Sequence, residues 1–480
     1  MNIDQVYDLY FQFPSVQTDT RKLQAGDIFF ALSGPNFNGN DFAKKALDAG
    51  AEYAIVDEPV DENDKRIIQV DDVLDTLQML AKRHRETFNI PFIAITGSNG
   101  KTTTKELVSA VLKSTYCTYT TEGNLNNHIG VPLTILKIKN DAEMAVVEMG
   151  ANHQKEIESY CTYTLPTHGI ITNCGKAHLE GFGGIEGVRK GKGELYDFIR
   201  THHGTAFVNN DYDYLHTMSH GIEKLATYGT ANSDVIGNAL PSDTFLKVEW
   251  TDESVVINTQ LVGDYNLPNV LCTMAVGRHF NVPIQKIVSA IENYVPDNSR
   301  SQMVTRGSNH IILDAYNANP SSMMLAIDNI AHINAPNKVL MLGGMMEMGQ
   351  DSLAEHQSIV DQIKKYDWHT VIFVGGDFDK ANYSFLYFPT SSKAAEWVAG
   401  QMWGNMETND WFYQNRHRPI LLYANRIFLP DPQLSGVRQG CPVPFPSCPP
   451  ASVLCLGHLY GLCCLLPASC CLGWHCRHPE

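Results

Sequence analysis

Positive charge is scarce in this chain of 480 residues: 36 Lys and Arg stand against 52 Asp and Glu, a formal net charge of −16. That balance argues against nucleic acid as a main partner, because gripping a phosphate backbone needs a basic face. A small substrate with several phosphates needs only local positive charge. Cysteine is sparse through residue 395, where Cys117, Cys161, Cys174 and Cys272 are scattered without metal-ligand spacing. That usage suits a reducing compartment, the cytoplasm. The opening segment MNIDQVYDLYFQF has an acidic residue and no basic run, so no signal peptide is expected. No internal repeat is evident, and no membrane insertion is expected.

Lysine is absent after Lys393, and there the composition changes. The closing residues 396–480 hold eight of the twelve cysteines and a proline cluster, CPVPFPSCPP. Five acidic residues (Glu396, Glu407, Asp410, Asp431, Glu480) offset five arginines there, so the net negative charge lies before residue 396. The segment reads as a shifted reading frame or a foreign fusion. A cysteine module is the first alternative, but no C-x-x-C pair is present. A membrane anchor over 451–474 is the second, but Pro467 and His458 interrupt it.

The most informative stretch is AITGSNGKTTTKE at 94–106. Pro91–Thr96 is a short apolar run of the kind found in buried parallel strands. Gly97, Ser98, Asn99, Gly100, Lys101, Thr102 and Thr103 follow, and Leu107, Val108, Val111 and Leu112 then repeat at helical spacing. Strand, glycine turn, lysine and helix N-terminus together cradle phosphate, and a Thr102 hydroxyl there can hold Mg²⁺. Ile95 stands where the usual G-x-x-x-x-G-K-[ST] loop has its first glycine, so the match is to the shorter T-G-x-N-G-K-T-T form.

Length allows about three domains. The composition and patterning divide the chain into 1–87, 88–297, 298–395 (incomplete) and 396–480. Strands alternate with helices in the second and third segments, which implies parallel α/β sheets. Glu148 ends an apolar strand in VVEMGAN, at the strand end where open α/β sheets bind ligands. It fits a metal ligand near a nucleotide, and it also fits a solvated strand end. His178, in ITNCGKAHLEGFGG, fits a structural histidine at least as well as a ligand by position alone. Arg189, Lys190 and Lys192 form either a solvated helix face or a phosphate-facing patch.

The TGSNGKTT loop, EMGAN, AHLEGFG and YNANPSSM together resemble the Mur ligase family, over about residues 19–395. The resemblance implies three α/β domains: an N-terminal UDP-binding domain, a central P-loop ATPase-like parallel sheet and a C-terminal Rossmann-like domain. It implies an ATP-dependent amide ligase of peptidoglycan precursor synthesis. ATP and two Mg²⁺ ions are then the cofactors, with Thr102, Glu148, His178 and Lys192 around the metals. Lys192, in KGE, matches the lysine that the family carbamylates with CO₂. Asn269, in GDYNLPNVL, matches an adenine contact, although Tyr265 replaces the usual His of that motif. Arg300 matches a phosphate contact and Asp314 a ribose contact, while Tyr316, Asn317 and Asn319 would line the interdomain cleft.

TDTRKLQAGDIFFALSG resembles the family's uridine-diphosphate segment, with Arg21 on the diphosphate and Asp19 as its buttress. Read locally, the same residues are a plain turn. GNLNNHIGVP resembles the loop of members that add D-alanyl-D-alanine to UDP-N-acetylmuramoyl-tripeptide, which puts Asn124 and Asn127 on the substrate. Those two molecules are the implied partners, and a monomer is expected. A folylpolyglutamate or cyanophycin type ligase, or a nucleotide-binding pseudoenzyme, are the competing readings.

Overall fold

The computed structural model describes residues 2–60, 64–306, 309–335, 337–400 and 420–424. Three α/β domains follow one another, each built on its own sheet. The first sheet pairs Val16–Gln17, Ile28–Phe30, Tyr53–Val56 and Ile67–Gln69, all parallel and in chain order. Its closing helix, Val73–Arg85, starts on an Asp72 side-chain cap and ends against the central domain. Arg85 donates to the carbonyls of Thr164 (2.9 Å) and Leu165 (3.0 Å), and its guanidinium lies over the Phe92 ring at 3.8 Å. Tyr10 also donates to the Leu136 carbonyl.

The central sheet has nine strands. Its parallel part runs, across the sheet, Val235–Leu240, Lys224–Gly229, Thr205–Asn209, His168–Ile171, Phe92–Thr96, Met144–Glu148 and Thr118–Thr120. Antiparallel Phe245–Trp250 and Val255–Val262 extend one edge. Phe92–Thr96 is buried at every position, as its unbroken apolar run requires of a two-sided strand. The chain leaves this strand for the Met144–Glu148 side and returns to its other side with His168–Ile171. That reversal opens a crevice at the carboxyl ends of the three strands, and there the phosphate loop, Glu148 and the His178 loop emerge.

The third sheet runs Gln302–Arg306, Asn309–Asp314, Ile420–Ala424, Lys338–Gly343, Thr370–Val374 and Leu386–Phe388, with only the first antiparallel. It is the Rossmann-like sheet expected, with helices Pro320–His332 and Ser352–Ile363 between its strands. One expectation fails here. Sequence left the third domain incomplete at residue 395 and set 396–480 apart as foreign, yet Ile420–Ala424 pairs with Asn309–Asp314 on one side and Lys338–Gly343 on the other. The reason is that ILLYA is a five-residue apolar strand former, masked by the unusual composition around it. The cysteines from Cys441 to Cys476 and the apolar run 451–474 lie outside the described residues. Among the described residues no helix is long and apolar enough to cross a membrane.

Candidate active site

The phosphate loop is held by its neighbour strand. The N–H of Ser98 donates to the Asn173 carbonyl (2.9 Å), that of Asn99 to Asn173 Oδ1 (3.0 Å), and Ser98 Oγ to the Gly175 carbonyl (2.9 Å). Gly97 and Gly100 are required. Both have positive φ (146° and 79°), and a Cβ at Gly97 would lie 2.0 Å from Thr172 Oγ1 and one at Gly100 2.5 Å from Asn269 Oδ1. Helix Lys101–Lys113 starts directly after Gly100, so its free N–H groups face the crevice. Lys101 Nζ folds back onto the carbonyls of Gly97 (2.6 Å) and Ser98 (3.2 Å). Burial pulls the Lys101 ammonium down to about 8, against the opposing pull of Glu148.

Glu148 is buried at the end of its strand, 1% exposed. Its Oε1 accepts from Thr102 Oγ1 (3.1 Å) and Asn126 Nδ2 (2.7 Å), while Oε2 is buried with no hydrogen-bond partner. A buried carboxylate oxygen left unpaired is costly, and a hard cation between Glu148, Thr102 and bound phosphates would satisfy it. The residues therefore fit Mg²⁺. Among the described residues no three His, Cys, Asp or Glu side chains gather as a protein-only cage, and Mg²⁺ commonly takes one or two carboxylates with substrate phosphates and water.

Lys192 lies on helix Ile185–Thr201, 1% exposed, whereas Lys190 on the same helix is exposed. Its Nζ donates to the Ala151 carbonyl at 3.0 Å and stands 5.0 Å from the Phe182 ring centroid. Burial, with Lys101 adding, brings its pKa down to about 7. Gly191 makes this packing possible, since a Cβ there would meet Phe182 at 2.4 Å. Glu194, two residues on, accepts from the N–H groups of Lys155 (2.6 Å) and Glu158 (3.0 Å), which ties the start of helix Glu156–Thr164 to this helix. His178 sits in the left-handed region (φ 52°), and its Nδ1 pairs with Glu347 of the third domain. Burial lowers its pKa and Glu347 opposes.

A cleft of about 880 Å³ joins these groups. Of the residues expected from sequence, Ser98, Asn99, Gly100, Lys101, Thr103, Asn124, Asn127, Glu148, His178, Asn269, Arg300, Asp314, Tyr316, Asn317 and Asn319 line it. Thr102 reaches it through Glu148, and Lys192 approaches from beneath through Ala151. Arg300 rests on the Tyr316 ring, its guanidinium carbon 3.8 Å from the centroid. Burial raises the Asp314 carboxyl to about 6, although Arg300 opposes. Asn319 caps helix Pro320–His332 and donates Nδ2 to Asn99 Oδ1 (2.6 Å). Asn127 Oδ1 accepts from Gly130 N–H (2.8 Å) at the start of helix Gly130–Leu136. Asn269 is buried, accepting from Thr104 (3.1 Å) and donating to Asn266 (2.9 Å).

Asp19 and Arg21 do not line this cleft. They form an ion pair at 2.8 Å with the Arg21 side chain 86% exposed, and Arg21's hydrogen bonds hold the Asp19 carboxyl down to about 2. Asn126, Asn173, Glu194 and Glu347 were not legible beforehand. Asn126 is one of three asparagines in NLNN, and only its contact with Glu148 separates it from the others.

The comparisons with known proteins agree with this geometry. Residues 12–85 match the Mur ligase family catalytic domain, 95–277 the Mur ligase middle domain and 299–387 the Mur ligase glutamate ligase domain. The chain is 34% identical over 369 residues to the UDP-N-acetylmuramoyl-tripeptide–D-alanyl-D-alanine ligase of Escherichia coli K12, covering 75% of this chain and 81% of that protein. The Bacillus subtilis 168 ligase of the same name is 33% identical over 340 residues, 70% of this chain and 74% of that one. Among solved structures, MurF from Acinetobacter baumannii superposes with a TM-score of 0.76 at 28% identity, over 88% of this chain and 92% of that one. The fold is also that of the Thermotoga maritima MurF ligase, with a TM-score of 0.75 at 24% identity over 87% and 95%. Three family domains matched in order, on a chain whose phosphate loop and buried carboxylate share one cleft, show that this chain belongs to the Mur ligase family.

Proposed function

We propose that this chain is the ATP-dependent ligase that joins D-alanyl-D-alanine to the free carboxylate of UDP-N-acetylmuramoyl-tripeptide through an acyl phosphate. The observation that carries the reading is one cleft lined by Lys101, by Glu148 with its unpaired oxygen and by Arg300, with Lys192 hydrogen-bonded to the lining residue Ala151. The names of the relatives supply the substrate class.

The residues divide the work as follows. The Gly97–Thr103 loop holds the ATP phosphates with backbone N–H groups, and Lys101 and Arg300 offset the repulsion as the γ-phosphoryl group meets the tripeptide carboxylate. The carboxylate oxygen attacks phosphorus and ADP leaves. The amine of D-alanyl-D-alanine then attacks the acyl carbon, phosphate leaves, and the amine loses a proton. When bound, Mg²⁺ supplies charge neutralisation on the phosphates; Glu148 and Thr102 would hold one ion, and His178 and Lys192 the other. Lys192 would do so as a carbamate, formed when its amine attacks CO₂, makes an N–C bond and releases a proton. A lysine pulled down to about 7 holds a large neutral fraction near neutral pH, and only the neutral amine is the nucleophile. Asn124, Asn127, Tyr316, Asn317 and Asn319 shape the walls around the reacting groups, while Asn269 and Asp314 serve the nucleoside. Arg21, with Asp19, takes the uridine diphosphate.

The reading divides the chain near 87 and 297, where segments pass between the sheets, and assigns a cytoplasmic monomer. Phosphate release from ATP is the test. It should require the UDP-tripeptide and D-alanyl-D-alanine together; release driven by a folate or by an arginine–aspartate polymer instead would reject the substrate assignment.

A further inference from the structure

The segment PDNSRS at 296–301 joins the central and third domains, and its backbone is unusual around one residue. Ser299 and Ser301 both lie in the left-handed region, with φ of 57° and 50°. Neither is glycine, and non-glycine residues keep that conformation only where surroundings over-determine it. The residue between them is Arg300.

Each flank of Arg300 is tied. Ser299 N–H donates to Gln302 Oε1 (3.1 Å), and its carbonyl accepts from Ala315 N–H (2.9 Å). Ser301 is 6% exposed, and its Oγ pairs with the Tyr265 hydroxyl at 2.7 Å. Asp314 and Ala315 belong to the third domain, but Tyr265 comes from the central one. It sits in the turn Asp264–Asn266 that opens helix Leu267–His279. Its ring is wedged over Gly263, where a Cβ would lie 2.4 Å away. The same turn holds Asn266, which accepts from Asn269, which accepts from Thr104 of the phosphate-loop helix. One line of hydrogen bonds and chain therefore runs from that helix through Tyr265 to the residue beside Arg300.

We infer that Tyr265 is a positioning residue for Arg300: its hydroxyl fixes Ser301 in the left-handed conformation, which aims the guanidinium over Tyr316 and into the phosphate end of the cleft. A hydrogen bond at this point sets the arginine from the domain that binds the nucleotide, although the arginine itself belongs to the segment leading into the next domain. The inference rests on the reading of Arg300 as a phosphate contact.

The test measures ATP affinity by calorimetry, with kcat, KM and melting temperature, for Tyr265→Phe, Ser301→Ala, Arg300→Ala and their combinations in the full chain. Tyr265→Phe should weaken ATP binding about tenfold, the scale of one hydrogen bond, and should raise the KM for ATP while leaving that for D-alanyl-D-alanine unchanged. Ser301→Ala should match it, and the double variant should be no worse than either. In the Arg300→Ala background, Tyr265→Phe should cost nothing further. If Arg300→Ala leaves ATP binding intact, the phosphate-contact reading fails and takes the inference with it. If Arg300→Ala weakens binding but Tyr265→Phe does not, or Tyr265→Phe weakens it equally in both backgrounds, the positioning role alone is overturned. Should Tyr265→Phe unfold the chain, Ser301→Ala carries the same comparison.

Discussion

Asn126 Nδ2 donates to Glu148 Oε1 at 2.7 Å, which fixes a buried carboxylate so that its other oxygen is turned to no protein donor. A metal-binding role predicts a specific dependence. Glu148→Gln should raise the Mg²⁺ concentration needed for half-maximal activity and lower kcat about 10²- to 10³-fold, the scale of one lost electrostatic stabiliser. Asn126→Ala should shift the Mg²⁺ requirement less, because the carboxylate remains. A Mg²⁺ titration that does not move in Glu148→Gln would remove this residue from the metal site.

Lys192 is 1% exposed and its amine has one hydrogen-bond acceptor, the Ala151 carbonyl, for the three donors of an ammonium, so burial disfavours a permanent cation there. Lys192→Ala should lose most activity, and acetate should restore part of it by replacing the missing anion. Protein equilibrated with ¹³C-bicarbonate should show a carbamate carbon signal that Lys192→Ala lacks. A fully active Lys192→Arg would mean that a plain positive charge suffices.

Arg21 is almost fully exposed and is paired with Asp19. Arg21→Ala should therefore leave the melting temperature unchanged. It should raise the KM for the UDP-tripeptide without moving that for ATP. Equal changes in both would assign Arg21 to the fold.

His168 packs among Phe207, His279 and Phe280, and burial, with His279 adding, holds its pKa down to about 3. An unfolded chain protonates a histidine near 6.5. Between those values the unfolded state binds more protons, so this residue makes stability fall as pH falls through that window. Urea unfolding of His168→Phe should show a shallower loss of stability between pH 6.5 and 4; an unchanged slope would mean that His168 is not held neutral.

Ile420–Ala424 separates Asn309–Asp314 from Lys338–Gly343, which without it would stand roughly 10 Å apart, two strand spacings. A chain ending at residue 400 should lose the unfolding transition of the third domain and bind ATP poorly. A chain ending at 430 should keep both. Identical melting of the two shortened chains would show that this strand does not hold the sheet.

The local sequence determined those features whose cause is local. A strand, a glycine turn and a helix N-terminus are contiguous, so TGSNGKTT specified the phosphate cradle without help from distant residues. The apolar run at Pro91–Thr96 likewise fixed the strand Phe92–Thr96. What the tertiary structure decided is pairing across distance. Lys192 rather than Lys190 is the buried amine because only one faces Phe182 and the Ala151 carbonyl. Asn126 rather than its neighbours meets Glu148. Glu347 comes 169 positions along the chain to reach His178. The strand at 420–424 was hidden because composition averages over a window, whereas strand pairing needs only five residues in register with two partners. Local propensity and patterning act over a few residues; which buried polar groups satisfy one another is settled only when the sheets pack.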